Sequence, residues 1–235
     1  MLYHASVQKY SGNQKSNHTL LQYIENMILT RKELRFYLMA DRMMNRGTFS
    51  RSLWQRIRDV ILPDNFMKYL VTMRKLSYYK HKGNPIWMYY HRRYQKLGLR
   101  LGFSIGPDVF GYGLILPHYG TIIVGAKNTI GNYAFIHACT CITSTDHEIG
   151  DNLFLSVGAK IVSAMKLGNN VTVAANSVVT KPFPEDNILL AGMPAIIKGT
   201  RDPWFVGHEK FVERRNKCEE LRQQLGINKS TPNRT

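Results

Sequence analysis

The chain has 235 residues, with 32 Lys+Arg against 16 Asp+Glu and a formal net charge of +16. A hydrophobic content of 44% supports a packed core and excludes wholesale disorder. The charge is uneven: residues 1–100 hold 19 basic and 5 acidic side chains, residues 101–200 hold 5 and 6, and residues 201–235 hold 8 and 5. Glycine runs the other way, with 4, 12 and 2 in the same three segments. The chain therefore divides into different physical units, and a single basic nucleic-acid-binding fold would not divide like this. Nucleic acid is not expected as a partner. Three cysteines cannot close a disulfide framework, and Cys139 and Cys141 are too close for an ordinary bridge. No Cys/His spacing fits a zinc site, so no metal is expected. The first ten residues lack the apolar stretch of a signal peptide, and no apolar run approaches bilayer length. The expectation is a soluble, cytoplasmic protein.

Taken in chain order, residues 1–16 read as polar and loose. From Thr19 to Asn45 the apolar residues Leu20, Leu21, Ile24, Met27, Ile28 and Leu34 recur at helical steps. Ser50 is a candidate cap for a second helix ending before Pro63. A third helix fits 64–80, with Phe66, Leu70, Met73 and Leu76 on one side. Gly83-Asn84-Pro85 breaks the chain, and a fourth helix fits 86–97, where Trp87, Tyr89, Tyr90 and Tyr94 sit beside His91, Arg92, Arg93 and Lys96. Residues 1–99 read as a basic, all-helical domain.

The texture then changes. Steps of six from Ile130 reach Ile136 and Ile142, one extra residue leads to Ile149, and further sixes reach Leu155, Ile161, Leu167, Val173 and Val179. Upstream, Ile105 and Ile123 fall on a similar step, with one extra residue placed before Ile130. Gly106, Gly131, Gly150 and Gly168 directly follow repeat positions. Val109, Ala134, Thr140, Ala159, Val171 and Ser177 lie four after them. A period of six is neither helical nor a strand alternation. It is the hexapeptide signature of a β-solenoid, in which each short strand buries one aliphatic side chain and then turns a corner. Three strands close a coil, so 105–181 predicts roughly four coils. An antiparallel sheet would give period two instead. Beyond Arg201, Phe211 to Leu225 has a helical pattern, followed by a polar tail. These segments give three parts: 1–99, the solenoid at 100–200, and a C-terminal helix with its tail at 201–235.

The run from Ile122 to Gly199, with its close AGMPAIIKG, resembles the left-handed parallel β-helix (hexapeptide-repeat) acyltransferases. LGFSIGPDVFGYGLILPHYGTIIVG resembles the beginning of the solenoid in their serine acetyltransferase branch, which includes capsule and polysaccharide O-acetyltransferases. The resemblance is strong over 100–200 and general over the helices. It implies a homotrimer, with acetyl-CoA as co-substrate in a groove between neighbouring solenoids.

Acetyl transfer from a thioester needs a base for the acceptor hydroxyl and a donor for the oxyanion. Histidine suits the first task. By the resemblance, His118 stands where the family carries its base, and His147 where it carries a second site histidine. Counted along the repeat, His118 falls near the corner between the second and third faces, and His147 between the first and second. One chain would not join them, whereas neighbouring protomers would. His137 matches no family position and reads as a surface histidine. Gly158, Ala159, Ala175, Asn176, Thr180 and Lys181 match the co-substrate groove, and Lys181, Lys198 and Arg201 are candidates for its phosphates. Cys139 and Cys141 are placed on a rung, and Cys218 in the last helix reads as inert.

The departures carry the substrate argument. The aspartate that orients the family's base is replaced by Ser104, so the base has another partner, with Asp108 a candidate, or works without a carboxylate. The aspartate that holds the substrate amine is replaced by Pro117. The arginine that meets the substrate carboxylate is replaced by Asp146. A site lacking both countercharges binds a zwitterion poorly. The expected acceptor is thus a sugar hydroxyl, on a surface or capsular polysaccharide, contacted by Pro117, Tyr119, Asp146 and Glu148. Serine O-acetyltransferase is the enzymatic alternative, and a non-catalytic basic trimeric scaffold the other. The basic helices are expected to meet an acidic glycan or the inner face of an anionic membrane.

Overall fold

A computed structural model describes residues 26–143, 146–163 and 166–227. Among the described residues four helices precede the strands: α1 (Arg31–Arg46), α2 (Leu53–Ile61), α3 (Asn65–His81) and α4 (Trp87–Leu101). Thirteen short strands follow, from β1 (Phe103–Ile105) to β13 (Ala195–Thr200), and then α5 (Glu209–Gln224). The helix expected from Thr19 does not run through. Thr30 is extended and closes a capping box with Glu33, starting α1 afresh. The part of that helix before residue 26, the loose 1–16 and the tail beyond 227 lie outside the described residues. The second helix is capped by Ser52 rather than Ser50, because Gln55 stands at the third helical position to close the box. The fourth runs on to Leu101 and ends at Gly102, whose φ of 78° a side chain would oppose.

The strands stack as a parallel solenoid with three faces. The first face holds β1, β2 (Ile122–Val124), β5 (Thr140–Ile142), β8 (Lys160–Ile161) and β11 (Val178–Val179). The second holds β3 (Thr129–Ile130), β6 (Glu148–Ile149) and β9 (Lys166–Leu167), extended by bridges at Phe110 and Phe183. The third holds β4 (Phe135–Ile136), β7 (Phe154–Leu155), β10 (Thr172–Val173) and β12 (Ile188–Gly192), closed by the antiparallel β13. Five strands on the first face make the solenoid longer than the four coils expected.

All nine residues of the six-step from Ile130 to Val179 are buried. Upstream the register differs from the sequence reading. Val124, not Ile123, pairs with Ile142 and points inward, and Ile123 is 43% exposed. The step from Val124 to Ile130 is therefore an unbroken six, and the extra chain sits earlier. Ile115 pairs with Phe135 and Ile122 with Thr140, so seven positions on the upper coil cover five below. The surplus falls in the corner at 117–121.

The second-to-third corner is stitched by side chains. The backbone N–H of Tyr112 donates to Asn132 Oδ1, that of Asn132 to Asp151, that of Asp151 to Asn169, and that of Asn169 to Asp186. A Cβ at Gly111, Gly131 or Gly150 would collide with the oxygen arriving from the next coil. Those glycines therefore make room for a ladder. Asn152, Asn170 and Asn187 form a second amide ladder, at 2.8 Å per step.

The helices close the upper end of the solenoid, and the apolar core runs unbroken from Leu70, Met73 and Leu97 into Ile105 and Val124. A fully buried pair fixes the junction. Arg74 Nε donates to Asp41 at 2.8 Å, and its other nitrogens donate to the carbonyls of Phe110 (2.7 Å) and Gly111 (2.6 Å). Asp41 accepts from the N–H groups of Gly113 (2.9 Å) and Leu114 (3.1 Å). From the far end, α5 reaches the same corner: Glu219 accepts from the hydroxyls of Tyr112 and Tyr133. Cys218 is buried there, which pushes its thiol up to about 12 and fits the inert role expected.

Two stability predictions follow from these contacts. Asp41→Ala leaves a buried guanidinium unpaired and should cost about 3–5 kcal/mol in urea denaturation. Burial raises the Asp151 carboxyl to about 6, against the neighbouring Asn132 donors that lower it. Protonated Asp151 favours the fold, so its contribution is full below about pH 4 and is lost as the pH rises through 6. Asp151→Asn keeps the acceptor oxygen and removes the buried charge. It should match the parent near pH 4 and exceed it at pH 7.5 by on the order of 2 kcal/mol in thermal melts.

Candidate functional site

The third-to-first corner gathers most of the residues singled out in the sequence. On the lower coils it is three residues long and ends in a left-handed residue: Cys139 (φ 62°), Gly158 (φ 73°) and Asn176 (φ 56°). Cys139 is thus an exposed corner residue and only Cys141 lies on a rung. On the upper coil the same corner is the lengthened segment 117–121. The added chain lifts His118 into solvent, with Pro117 half-buried before it and Tyr119 exposed after it. The corner joins the third face to the first, not the second to the third as the count from Ile105 implied. The segments 105–110 and 110–115 are shorter than six.

His118 has a neighbour that the sequence reading set aside. Its ring centroid lies 6.2 Å from that of His137, one coil below. His137 is half-buried, stacked on Phe135 at 4.9 Å and edge-on to Phe154 at 5.3 Å. Burial first, and then the charge of His118, holds its imidazole below the usual histidine range. The signal was present in the sequence: the two histidines are 19 positions apart, as are Ile136 and Leu155 on paired rungs.

Gly158, Ala175 and Asn176 follow on the same corner below the two histidines, and Ala159 lies buried just inside it. Their backbones are linked coil to coil: Gly158 N–H donates to the Ala138 carbonyl and Asn176 N–H to that of Val157. Thr180 and Lys181 do not join them. They lie where the first face turns to the second, on the corner that carries Asp146 and His147. Lys198 is exposed on β13, and Lys181 rests over the Phe183 ring at 5.5 Å.

His147 is 0% exposed. Its backbone N–H donates to Asn128 Oδ1 at 3.1 Å, and its Nε2 lies 3.2 Å from Thr143 Oγ1. Burial lowers its imidazole pKa, opposed by the adjacent Asp146. Asp146 is exposed at φ 57°, and Glu148 is half-buried on β6. Of the two expected histidines, His118 is the one open to an acceptor in the single chain.

Asp108 does not serve His118. It is buried against the helices, with Oδ2 3.1 Å from His81 Nε2. Burial raises its carboxyl, but His81 and Ser77 outweigh this and hold it below the usual range. Ser104 is exposed on β1 and lines an open groove of about 880 Å³ beneath α4, with Lys80, His91 and Gln95. His118 does not line that groove. The group nearest to His118 in kind is another histidine, not a carboxylate.

No known family model matches the chain. Serine acetyltransferases of Staphylococcus aureus and Staphylococcus epidermidis are each 31% identical over 104 residues, covering 41% of this chain and 48% of theirs. The chain thus spans about half the length of the curated relatives it matches. A serine acetyltransferase solved in complex with CoA superposes with a TM-score of 0.53 at 22% identity, over 70% of this chain and 67% of that one. The Neisseria gonorrhoeae serine acetyltransferase gives 0.54 at 17%, over 80% and 81%. The soybean apoenzyme gives 0.53 at 19%, over 78% and 84%. The class is thereby defined: a left-handed parallel β-helix of the hexapeptide-repeat type, with helices before and after it. Within that class the chain is similar to the serine acetyltransferase branch, in sequence over those 104 residues and in fold over most of its length.

The histidine pair gives a direct measurement. In NMR titration His137 should titrate below an ordinary histidine. His118→Gln should move it upward by removing the like charge, yet leave it below the ordinary value because burial remains. An unmoved His137 would show that the rings do not interact.

Proposed function

We propose that the chain is an O-acetyltransferase that takes its acetyl group from acetyl-CoA. The observation that carries this reading is the third-to-first corner, where exposed His118 stands above Gly158, Ala175 and Asn176. A thioester lying along that corner would bring its carbonyl carbon towards His118. The imidazole takes the proton of the acceptor hydroxyl as the oxygen bonds to the acetyl carbon. A backbone N–H of the corner other than those of Gly158 and Asn176, which are bonded coil to coil, holds the oxyanion, and the C–S bond then breaks to release CoA thiolate, which takes the proton from the His118 imidazolium. Lys181, Lys198 and Arg201 supply cations for the phosphates. Thr180, Lys181, Asp146 and His147 lie on a different corner from His118. This supports a homotrimer in which one protomer's corner faces its neighbour's.

The named relatives favour L-serine as the acceptor, ahead of the sugar hydroxyl that the sequence reading placed first. A sugar hydroxyl remains as the second reading, carried by two residues. Pro117 beside His118 offers no charge to an amine, and exposed Asp146 would repel a carboxylate while accepting hydrogen bonds from hydroxyls. Tyr119, 74% exposed with its ring 6.4 Å from Phe66, and Glu148 are the other acceptor contacts in either case. Among the described residues no helix is long and apolar enough to cross a membrane. The basic helices are proposed to meet an anionic partner, either an acidic glycan or a membrane face.

The test is acetyl-CoA turnover over L-serine, hexosamines, sialic acid and oligosaccharides. Turnover is expected, and His118→Ala should lower kcat/KM by at least about 100-fold with the fold intact. Preference for serine would establish the first acceptor, and preference for a saccharide the second. Turnover unchanged in His118→Ala would remove the base. Absence of turnover and of acetyl-CoA binding in calorimetry would leave a trimeric scaffold.

A further inference from the structure

Helix α2 is built inside out. No residue of it is buried, and Gln55 and Asp59 are its only half-buried side chains. Its apolar residues face solvent: Trp54 is 80% exposed, Val60 83% and Ile61 77%, with Leu53 and Ile57 beside them. At about 100° per residue, these five occupy one arc of roughly 120°. Arg56 and Arg58 lie on its two edges, and Gln55 and Asp59 on the opposite side. That opposite side is held to α1 through Gln55. Gln55 Oε1 accepts from Arg42 Nη2 at 3.0 Å and from the Ser52 N–H at 3.2 Å. Asp59 lies 3.4 Å from Arg51 and 3.6 Å from Arg58. Of these bonds only Arg42–Gln55 reaches another helix, and it holds the polar side inward and the apolar arc outward.

We propose that α2 seats the protein on an anionic lipid surface, with Trp54, Ile57 and Ile61 entering the acyl boundary and Arg51, Arg56 and Arg58 at headgroup level. It rests on the anionic partner proposed above, and commits that partner to lipid. An apolar ridge edged by arginines is the arrangement of a helix lying in a membrane interface. Charge selects the occupant. Beside α2, on its Arg56 edge, a groove of about 630 Å³ is lined by Arg51 and Arg56 together with Arg42, Lys68, Lys75 and Arg93. The acids beside it are already engaged, Asp59 as above and Asp64 by Arg46 at 2.7 Å. A second copy would bring the same cations face to face, whereas phosphate headgroups complement them.

The test is co-sedimentation of the full-length protein with vesicles of phosphatidylcholine alone or mixed with phosphatidylglycerol, without acetyl-CoA. Binding should be at least tenfold tighter to the mixed vesicles and should weaken in high salt. Trp54→Ser/Ile61→Ser alters only exposed side chains and should keep the melting temperature while losing tenfold or more of vesicle binding. Arg56→Gln/Arg58→Gln should lose the preference for phosphatidylglycerol. Failure to bind mixed vesicles, or binding unchanged in the serine double variant, overturns the inference. So does a smaller assembly in that variant by light scattering, which would assign the face to a second copy. Hyaluronate binding without vesicle binding would overturn the lipid commitment and leave the anionic-partner reading standing. Failure of both would remove both.

Discussion

The buried pair of Arg74 and Asp41 is the constraint on which the rest of the molecule depends. A solenoid must end, and its first coil presents carbonyl and N–H groups with no coil above to bond them. Here one guanidinium supplies the carbonyls of Phe110 and Gly111, and one carboxylate receives the N–H groups of Gly113 and Leu114. Four backbone groups are satisfied by two side chains that also satisfy each other. Desolvating both ions offsets much of the electrostatic gain, so the pair contributes position more than net stability. It fixes α1 and α3 on the upper coil. The corner bearing His118 begins three residues beyond Leu114.

The three corners then divide the labour. The second-to-third corner is tied coil to coil by Asn132, Asp151, Asn169 and Asp186. It is covered by Asp41 from one side and by Trp204 and Glu219 from the other, Trp204 donating to the Tyr133 carbonyl at 3.0 Å. Both helical segments clasp this corner, which leaves the other two facing outward. The third-to-first corner carries His118, His137 and the Gly158–Asn176 column. The first-to-second corner carries Asp146, Thr180 and Lys181. Rigid stitching on one edge lets the remaining edges vary in length without disturbing the register. The lengthened 117–121 corner is such a variation.

The rungs were legible in the sequence because an aliphatic residue buried every sixth position has no other periodic explanation. The same logic fails at Ile122-Ile123-Val124, three β-branched residues in a row, where composition fits either register and only pairing with Ile142 decides. That one shift misplaced the surplus residues, and the two five-residue steps at 105–110 and 110–115 misplaced the corner assigned to His118. With its corner misplaced, His118 could not be set beside His137, whose ring lies 6.2 Å away. Arg74 is one of 32 basic residues, and nothing local distinguishes it, since its partner lies 33 positions away and on another helix. Asp108 was misassigned for the same reason: proximity along the chain pointed to His118, whereas α3 brings His81 against it.

The uneven charge takes on a structural meaning through α2. A nine-residue helix is too short to be stable alone in water, so α2 exists because its capping box closes its first turn and Gln55 on its polar back is bonded to Arg42 of α1. Those bonds occupy the side that would ordinarily be apolar, and the apolar residues are left outside. Such an arrangement is costly in water unless something covers it. The surrounding cations restrict what that something is. They repel a second basic face and do not oppose an anionic one. The solenoid, with 5 basic and 6 acidic residues over 101–200, takes no part in this selection. Basic charge and the exposed apolar arc of α2 therefore lie together on the helices, while the histidine corner lies on a nearly neutral body, so attachment and chemistry can be altered independently.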